Sequence, residues 1–361
     1  MDVLSLRTLA DRSDTGIRYQ PLCEESYSVP HPPRFSFGAC TNELMRRYYA
    51  EVHCGAVGLY AAADIALFGE ALLLRDGAAL QCDEIQVYPD ALQVYMARYR
   101  AMSSVLRIRP VRGRCVLLAG PGHTIYGHWL VDFLPKLYVL AAFGWDLAGL
   151  DYLVPSDTPQ FGLDLLDLMG IGADRRIVYD HALDLVIADE LLIPSMVRTH
   201  SRTSPLFGDA ARFVASLVWR RNARPPVDGG MRRIFLSRAL SDKEYRRRLL
   251  NRERIEQIAQ EAGFAIIHPE QMPLLEQFAL LGNARQIVGE YGSALHMSIF
   301  SAPGTMLAAL LGNYSPVAGF LQSAVGEALA QPTGYVFGET VAGDPMEPFT
   351  IPEEALRACL S

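Results

Sequence analysis

The spacing of apolar and polar positions changes several times along the chain, and each change marks an expected element. Residues 1–50 carry Pro21, Pro30, Pro32 and Pro33 with little periodicity, which predicts an irregular leader draped on the surface. Over 56–88 the apolar positions come in short runs. Two of these, 71–75 and 78–82, flank Asp76-Gly77, a dipeptide suited to a tight hairpin turn, so a small antiparallel layer is expected. The rhythm then lengthens. A short apolar run at 115–119 ends in Gly120-Pro121-Gly122, and 127–143 is long and apolar enough for a helix bent at Pro135. Strands are predicted at 152–154 and 176–179, on either side of a helix over 161–169 that Gly170 closes. Residues 183–194 add one or two strands, and 204–220 another helix.

The clearest break follows. Residues 221–230 are polar and hold Pro225-Pro226 and Gly229-Gly230, the composition of a domain linker. Beyond it the alternation is regular: a strand at 234–236, then Asn251 as cap of a helix with Ile255, Ile258, Ala259 and Ala262 on one face, ended by Gly263. A strand at 265–267, a helix from Pro273 to Gly282-Asn283, and a strand at 287–289 come next. The next helix opens at Ser293, and a strand at 305–310, a helix at 320–330 and a Pro- and Gly-rich tail complete the chain. Strands alternating with helices predict an α/β fold, and right-handed crossovers make its strands parallel. The expected division is a domain over 1–220 with a β-rich N-terminal portion, a linker over 221–230, and a second domain over 231–361.

Composition narrows the class. With 361 residues, half of them apolar, the chain can bury two sizeable cores. A formal net charge of -7 argues against a general nucleic-acid binder, so no nucleic-acid partner is expected. Lys136 and Lys243 are the only lysines; in so arginine-rich a chain a cluster such as Arg246-Arg247-Arg248 carries little weight and predicts a solvated helix face, as does Glu276-Gln277. The six cysteines include no Cys-x-x-Cys pair, which removes the common zinc and redox patterns. Charged residues interrupt the first twenty positions, and no apolar run reaches the roughly 18 residues of a membrane span. The expectation is a cytoplasmic protein without a transmembrane segment, able to touch the inner face of the plasma membrane through its substrate.

Candidate chemistry gathers at two places. In the second half, the expected strand ends carry Ser237-Arg238, His268-Pro269-Glu270 and Glu290-Tyr291-Gly292-Ser293, and parallel α/β sheets bind ligands at those ends. Gly292 and the N–H groups of a helix opening at Ser293 suit a phosphate; Arg238 can grip one bidentately, and Glu290 can take a sugar or ribose hydroxyl. In the first half, His128 and Asp132 stand four apart and share a helix face. One can be a general base, with the carboxylate fixing the imidazole tautomer, although Asp132 can instead pair with Lys136. His123, His128 and Asp132 also have a metal-ligand reading. There is no Gly-x-Ser-x-Gly elbow and no dinucleotide fingerprint.

These blocks, in this order, resemble glycosyltransferase family 61, which includes the capsular polysaccharide biosynthesis proteins. The likeness rests on the run from Gly127 to Leu137, on Ile234-Phe-Leu-Ser-Arg238 with Asn251 downstream, and on Glu276-Gln277 leading to Ile287-Val-Gly-Glu-Tyr-Gly-Ser-Ala-Leu295. One departure is Tyr291, where many relatives have His; no catalytic role is assigned to it. The resemblance implies a GT-B architecture of two facing Rossmann-like domains and inversion at the anomeric carbon. The donor would be a nucleotide sugar and the acceptor a glycan or lipid-linked glycan. It assigns base and orienting roles to His128 and Asp132, in either order. Ser237, Arg238, Glu290, Gly292 and Ser293 would face the donor, with no obligatory metal or other cofactor. A non-catalytic nucleotide-sugar or glycan-binding subunit is the alternative.

Overall fold

A computed structural model describes residues 2–28, 33–40, 42, 46, 48–82, 85, 90–229, 232–240, 247–313, 319–340 and 347–361. Pro30, Pro32, Lys243 and Arg246 lie outside the described residues. The fold is mixed α/β, and the chain forms two compact units.

The first unit comprises Met1–Ser26, Cys54–Thr199 and Asp209–Asn222. Its sheet joins an antiparallel half to a parallel half through one long strand. Asp184–Pro194 pairs antiparallel with Val57–Phe68 and parallel with Arg107–Val116, which leads to Asp151–Pro155 and Arg176–Tyr179, both parallel. The antiparallel layer expected around residue 70 is therefore part of the main sheet. Its hairpin forms as predicted: Leu72–Arg75 returns as Ala78–Gln81, with Asp76 and Gly77 at φ 47° and 78°. The N-terminal stretch is a correction. Ile17–Cys23 is a strand on Val57–Phe68, burying Ile17, so the leader is sheet for part of its length despite Pro21. Pro21 is tolerated because the register shifts between Pro21 and Cys23. The helix Ala91–Met102, which no clear periodicity announced, buries Leu92 and Met96.

The second unit comprises Tyr27–His53, His200–Gly208 and Ala223–Ser361. Its sheet runs Ala265–Ile267, Arg233–Leu236, Gln286–Glu290, Met306–Gly312 and Thr333–Thr340, all parallel, with antiparallel Phe349–Thr350 at the edge. Residues from before the expected boundary join it for specific reasons. Ser36–Phe37 adds a parallel strand to Thr333–Thr340; the Tyr48 ring packs on Phe320; and Arg202 donates to the Tyr48 carbonyl. The tail read as Pro- and Gly-rich is instead a strand, Thr333–Thr340, and a helix, Glu353–Leu360. Its glycines permit close strand packing: a Cβ on Gly338 would fall 2.4 Å from the Thr350 carbonyl oxygen. Asn251 precedes the helix Arg252–Glu261 without capping it; its amide pairs with the backbone of Ile351 at 2.8 and 3.2 Å. Among the described residues no helix is long and apolar enough to cross a membrane.

Gly289 shows how tightly the central strands pack, since a Cβ there would lie 2.8 Å from the Leu236 carbonyl oxygen. Gly289→Ala should destabilise the protein by about 1–3 kcal/mol, the usual cost of overpacking, read as a lower urea midpoint at unchanged slope.

Candidate functional site

In the first unit the site grows from an irregular helix. Tyr126–His128 begins it, Trp129–Phe133 widens into a π turn, and Lys136–Ala142 continues it as α-helix. The Leu134 N–H reaches back five residues to the Trp129 carbonyl at 2.9 Å, and Pro135 then has no N–H to offer. That widened turn carries Asp132, whose side chain is 1 % exposed, while His128 is 18 % exposed. His128 Nδ1 lies 2.5 Å from Asp132 Oδ2. Arg198 grips the same carboxylate from a distant segment: its Nε donates to Oδ1, and its second terminal nitrogen to Oδ2 at 2.7 Å.

The electrostatics separate the two candidate bases. Burial would raise the Asp132 carboxyl, but the Arg198 charge and the His128 hydrogen bond outweigh it and hold it at about 2. At neutral pH Asp132 is therefore a carboxylate and an acceptor only, so the hydrogen of the short contact belongs to His128 Nδ1. Nε2 is then the basic nitrogen, and among the described residues nothing hydrogen-bonds to it. The backbone of Gly122, at φ 89°, lies under this ring; a Cβ there would meet His128 Cδ2 at 2.9 Å.

The two competing readings of this region are not the ones the side chains adopt. Lys136 donates to the Leu118 carbonyl at 3.1 Å, not to Asp132, and burial, opposed by Asp132, lowers its ammonium to about 8. His123 bonds through Nε2 to Asp157 at 2.9 Å, away from His128 and Asp132.

In the second unit, the expected donor-site residues meet at the carboxyl ends of the parallel strands. The Arg238 side chain lies over Gly292, at 3.6 Å from the position of a Cβ, and reaches the Tyr291 carbonyl at 3.5 Å. Gly292 is extended, and the helix after it, Ser293–Phe300, is of the 3-10 type. This geometry leaves the Ser293 and Ala294 N–H groups without an intrahelical acceptor. Two residues occupy more internal places than the sequence implied. Ser237 is buried and its hydroxyl donates to Glu256 at 2.5 Å. Glu290 is buried, clasped by Arg252 at 2.8 and 3.0 Å, and accepts from the Arg238 backbone N–H at 3.2 Å. Both therefore fix the loop that presents Arg238.

Next to this rim is a small pocket lined by Arg247, Glu290, Tyr291, Thr340 and Glu347 among others. Arg247 stands 5.6 Å over the Tyr291 ring with φ 54°, so it does not sit on a solvated helix face. Glu347 Oε2 is buried without a hydrogen-bond partner among the described residues. Gln277, expected on a solvated face, is buried and donates to the carbonyls of Pro269 and Met272. Sequence reasoning missed Arg198, Arg252 and Glu347. The two arginines are indistinguishable by spacing from many others in this chain, and Glu347 follows no readable element.

A family model described as Glycosyltransferase 61 matches residues 126–308. The match takes in about half of the chain, including His128, Asp132, Arg198, Arg238, Arg252, Glu290 and Ser293. No curated protein matches the chain.

Arg198→Ala would leave the Asp132 carboxylate buried without its cation and should cost about 3–5 kcal/mol of stability at pH 7, measured by urea unfolding. The Asp132 carboxyl sits below its unfolded value of 3.8, so the stability it contributes is complete above that pH and is lost as pH falls towards 2. That loss should be on the order of 2 kcal/mol, and Asp132→Asn should remove it from the acid limb of a stability–pH curve.

Proposed function

The chain belongs to glycosyltransferase family 61, and from that premise we propose that it moves a sugar from a nucleotide-diphosphate donor to a hydroxyl of a glycan or lipid-linked acceptor. The anomeric carbon inverts, and the pathway served is surface or capsular polysaccharide synthesis at the cytoplasmic face of the plasma membrane. The layout that goes with this reading is GT-B, with the first domain serving the acceptor and the second the donor.

In the chemical step the acceptor oxygen attacks the anomeric carbon as the bond to the diphosphate breaks. His128 Nε2 takes the hydroxyl proton, and Asp132 holds Nδ1–H and stabilises the imidazolium that forms. Arg238 and the N–H groups at Gly292 and Ser293 receive the charge developing on the leaving diphosphate, so the step calls on no metal. Ser237 and Glu290 position Arg238, and Glu347 is the carboxylate open to a ribose or sugar hydroxyl. The observation that carries this reading is the buried Asp132 carboxylate gripped by Arg198 and bonded to His128 Nδ1: it leaves His128 as the group of the pair able to accept a proton.

His128→Ala and Asp132→Asn should abolish sugar transfer while leaving donor affinity within a few-fold, measured by product formation and calorimetry on the same preparations. Transfer at the parental rate in both variants would remove the base assignment. Arg238→Ala should weaken donor binding by about 1.5–3 kcal/mol, the range for hydrogen bonds to charged groups. A thermal-shift panel of nucleotide sugars identifies the donor to use, because a bound ligand raises the melting temperature by mass action.

A further inference from the structure

Three neighbouring parallel strands of the first unit, Arg107–Val116, Asp151–Pro155 and Arg176–Tyr179, are each followed by a segment bearing one metal-type donor: His123, Asp157 and His181. One ligand atom from each lies within 4.8 Å of the other two. His123 Nε2 is 2.9 Å and His181 Nδ1 3.1 Å from the same oxygen, Asp157 Oδ1.

The directions are as informative as the distances. His181 Nδ1 is buried and within hydrogen-bond length of Asp157, yet it makes no hydrogen bond. His123 Nε2, by contrast, is hydrogen-bonded to the same oxygen, a bond that a bound ion would replace. Behind them, Glu70 Oε1 faces the other ring nitrogen of each histidine, His123 Nδ1 at 3.9 Å and His181 Nε2 at 3.8 Å. His123 Nδ1 is itself buried without a partner. A carboxylate behind metal-bound imidazoles is the usual arrangement that fixes their tautomer.

We propose that His123, Asp157 and His181 bind one divalent transition ion of the zinc type, with Glu70 orienting the two imidazoles and a water in the fourth position. Two imidazole nitrogens and one carboxylate select zinc, cobalt, nickel or copper over magnesium and calcium, which prefer all-oxygen shells. The two carboxylates, Asp157 and Glu70, balance the ion's charge. The ion would steady a segment that matters locally: the His123 carbonyl accepts the Trp129 indole N–H at 2.7 Å, and Gly122 lies under the His128 ring. The site stands on its own donors and does not depend on the transferase reading.

The test uses the full-length protein, freed of metal by chelator and dialysed, then titrated with Zn²⁺ in competition with a chromophoric chelator. One equivalent should bind tightly, and Co²⁺ in its place should give the intense visible absorption of four-coordinate cobalt. His181→Ala and Asp157→Asn should each weaken Zn²⁺ binding about 100-fold or more, and Glu70→Gln about 10-fold. Asp157 is 48 % exposed and its asparagine variant is isosteric, so that protein should fold even where a histidine variant does not. His53→Ala, at an exposed position, should change nothing. Affinity unchanged in both His181→Ala and Asp157→Asn, or an adventitious ion only, lost equally with His53→Ala, would overturn the assignment.

Discussion

The first unit depends on a carboxylate that has been taken out of water. Asp132 is buried, and an isolated ionised carboxylate there would be prohibitively costly; Arg198 and His128 make it tolerable by occupying both its oxygens. The consequences follow in order. The carboxylate stays ionised, the imidazole is held in one tautomer and one orientation, and its outer nitrogen has no hydrogen-bond partner among the described residues. The carboxylate sits in a π turn ahead of Pro135, four residues after the histidine that it orients.

The second unit repeats this device with other residues. Glu290 ends a central strand, is buried, and is clasped bidentately by Arg252 as Asp132 is by Arg198. Both acids are almost wholly buried, and each aligns a more exposed neighbour: Asp132 sets His128, and Glu290 holds the backbone N–H of Arg238. Two glycines flank Glu290. Gly289 admits Leu236 at close quarters, and the Arg238 side chain lies over Gly292. Close packing explains Gly289, whereas a Cβ on the extended Gly292 would meet Arg238 only at ordinary contact distance.

How much of this was legible follows from the range of the interactions. Local signals were reliable: the Asp76-Gly77 hairpin, the strand Arg176–Tyr179 and the regular alternation after residue 230 are set by neighbours a few positions apart. The pairing of His128 with Asp132 was also local, being four residues long. What spacing could not reveal was the long-range partner. Arg198 is 66 residues from Asp132 and Arg252 is 38 from Glu290, in a chain whose basic residues are almost all arginine. The same limit explains Ser237 and Glu290, which sequence position places at a rim but tertiary contacts turn inward. It explains Thr333–Thr340 too, whose glycines read as a loop until the neighbouring strands that need them are in place.

The near-absence of lysine sharpens the contrast between the two cations of the first site. A guanidinium offers a planar fork that satisfies both oxygens of one carboxylate and keeps its charge at any accessible pH. Lys136 shows what an ammonium does in a similar setting. Buried and bonded to a single carbonyl, it is lowered to about 8 even with Asp132 nearby, so its charge is lost just above neutral pH. Because its folded value lies below that of the unfolded chain, the cost of burying it is greatest at neutral pH and fades as pH rises through 8 and beyond. A lysine in place of Arg198 would bring the same weakness to the carboxylate and could not fork across both of its oxygens. The His128 imidazole is held in a single tautomer because the acid that orients it is paired with a cation that keeps its charge.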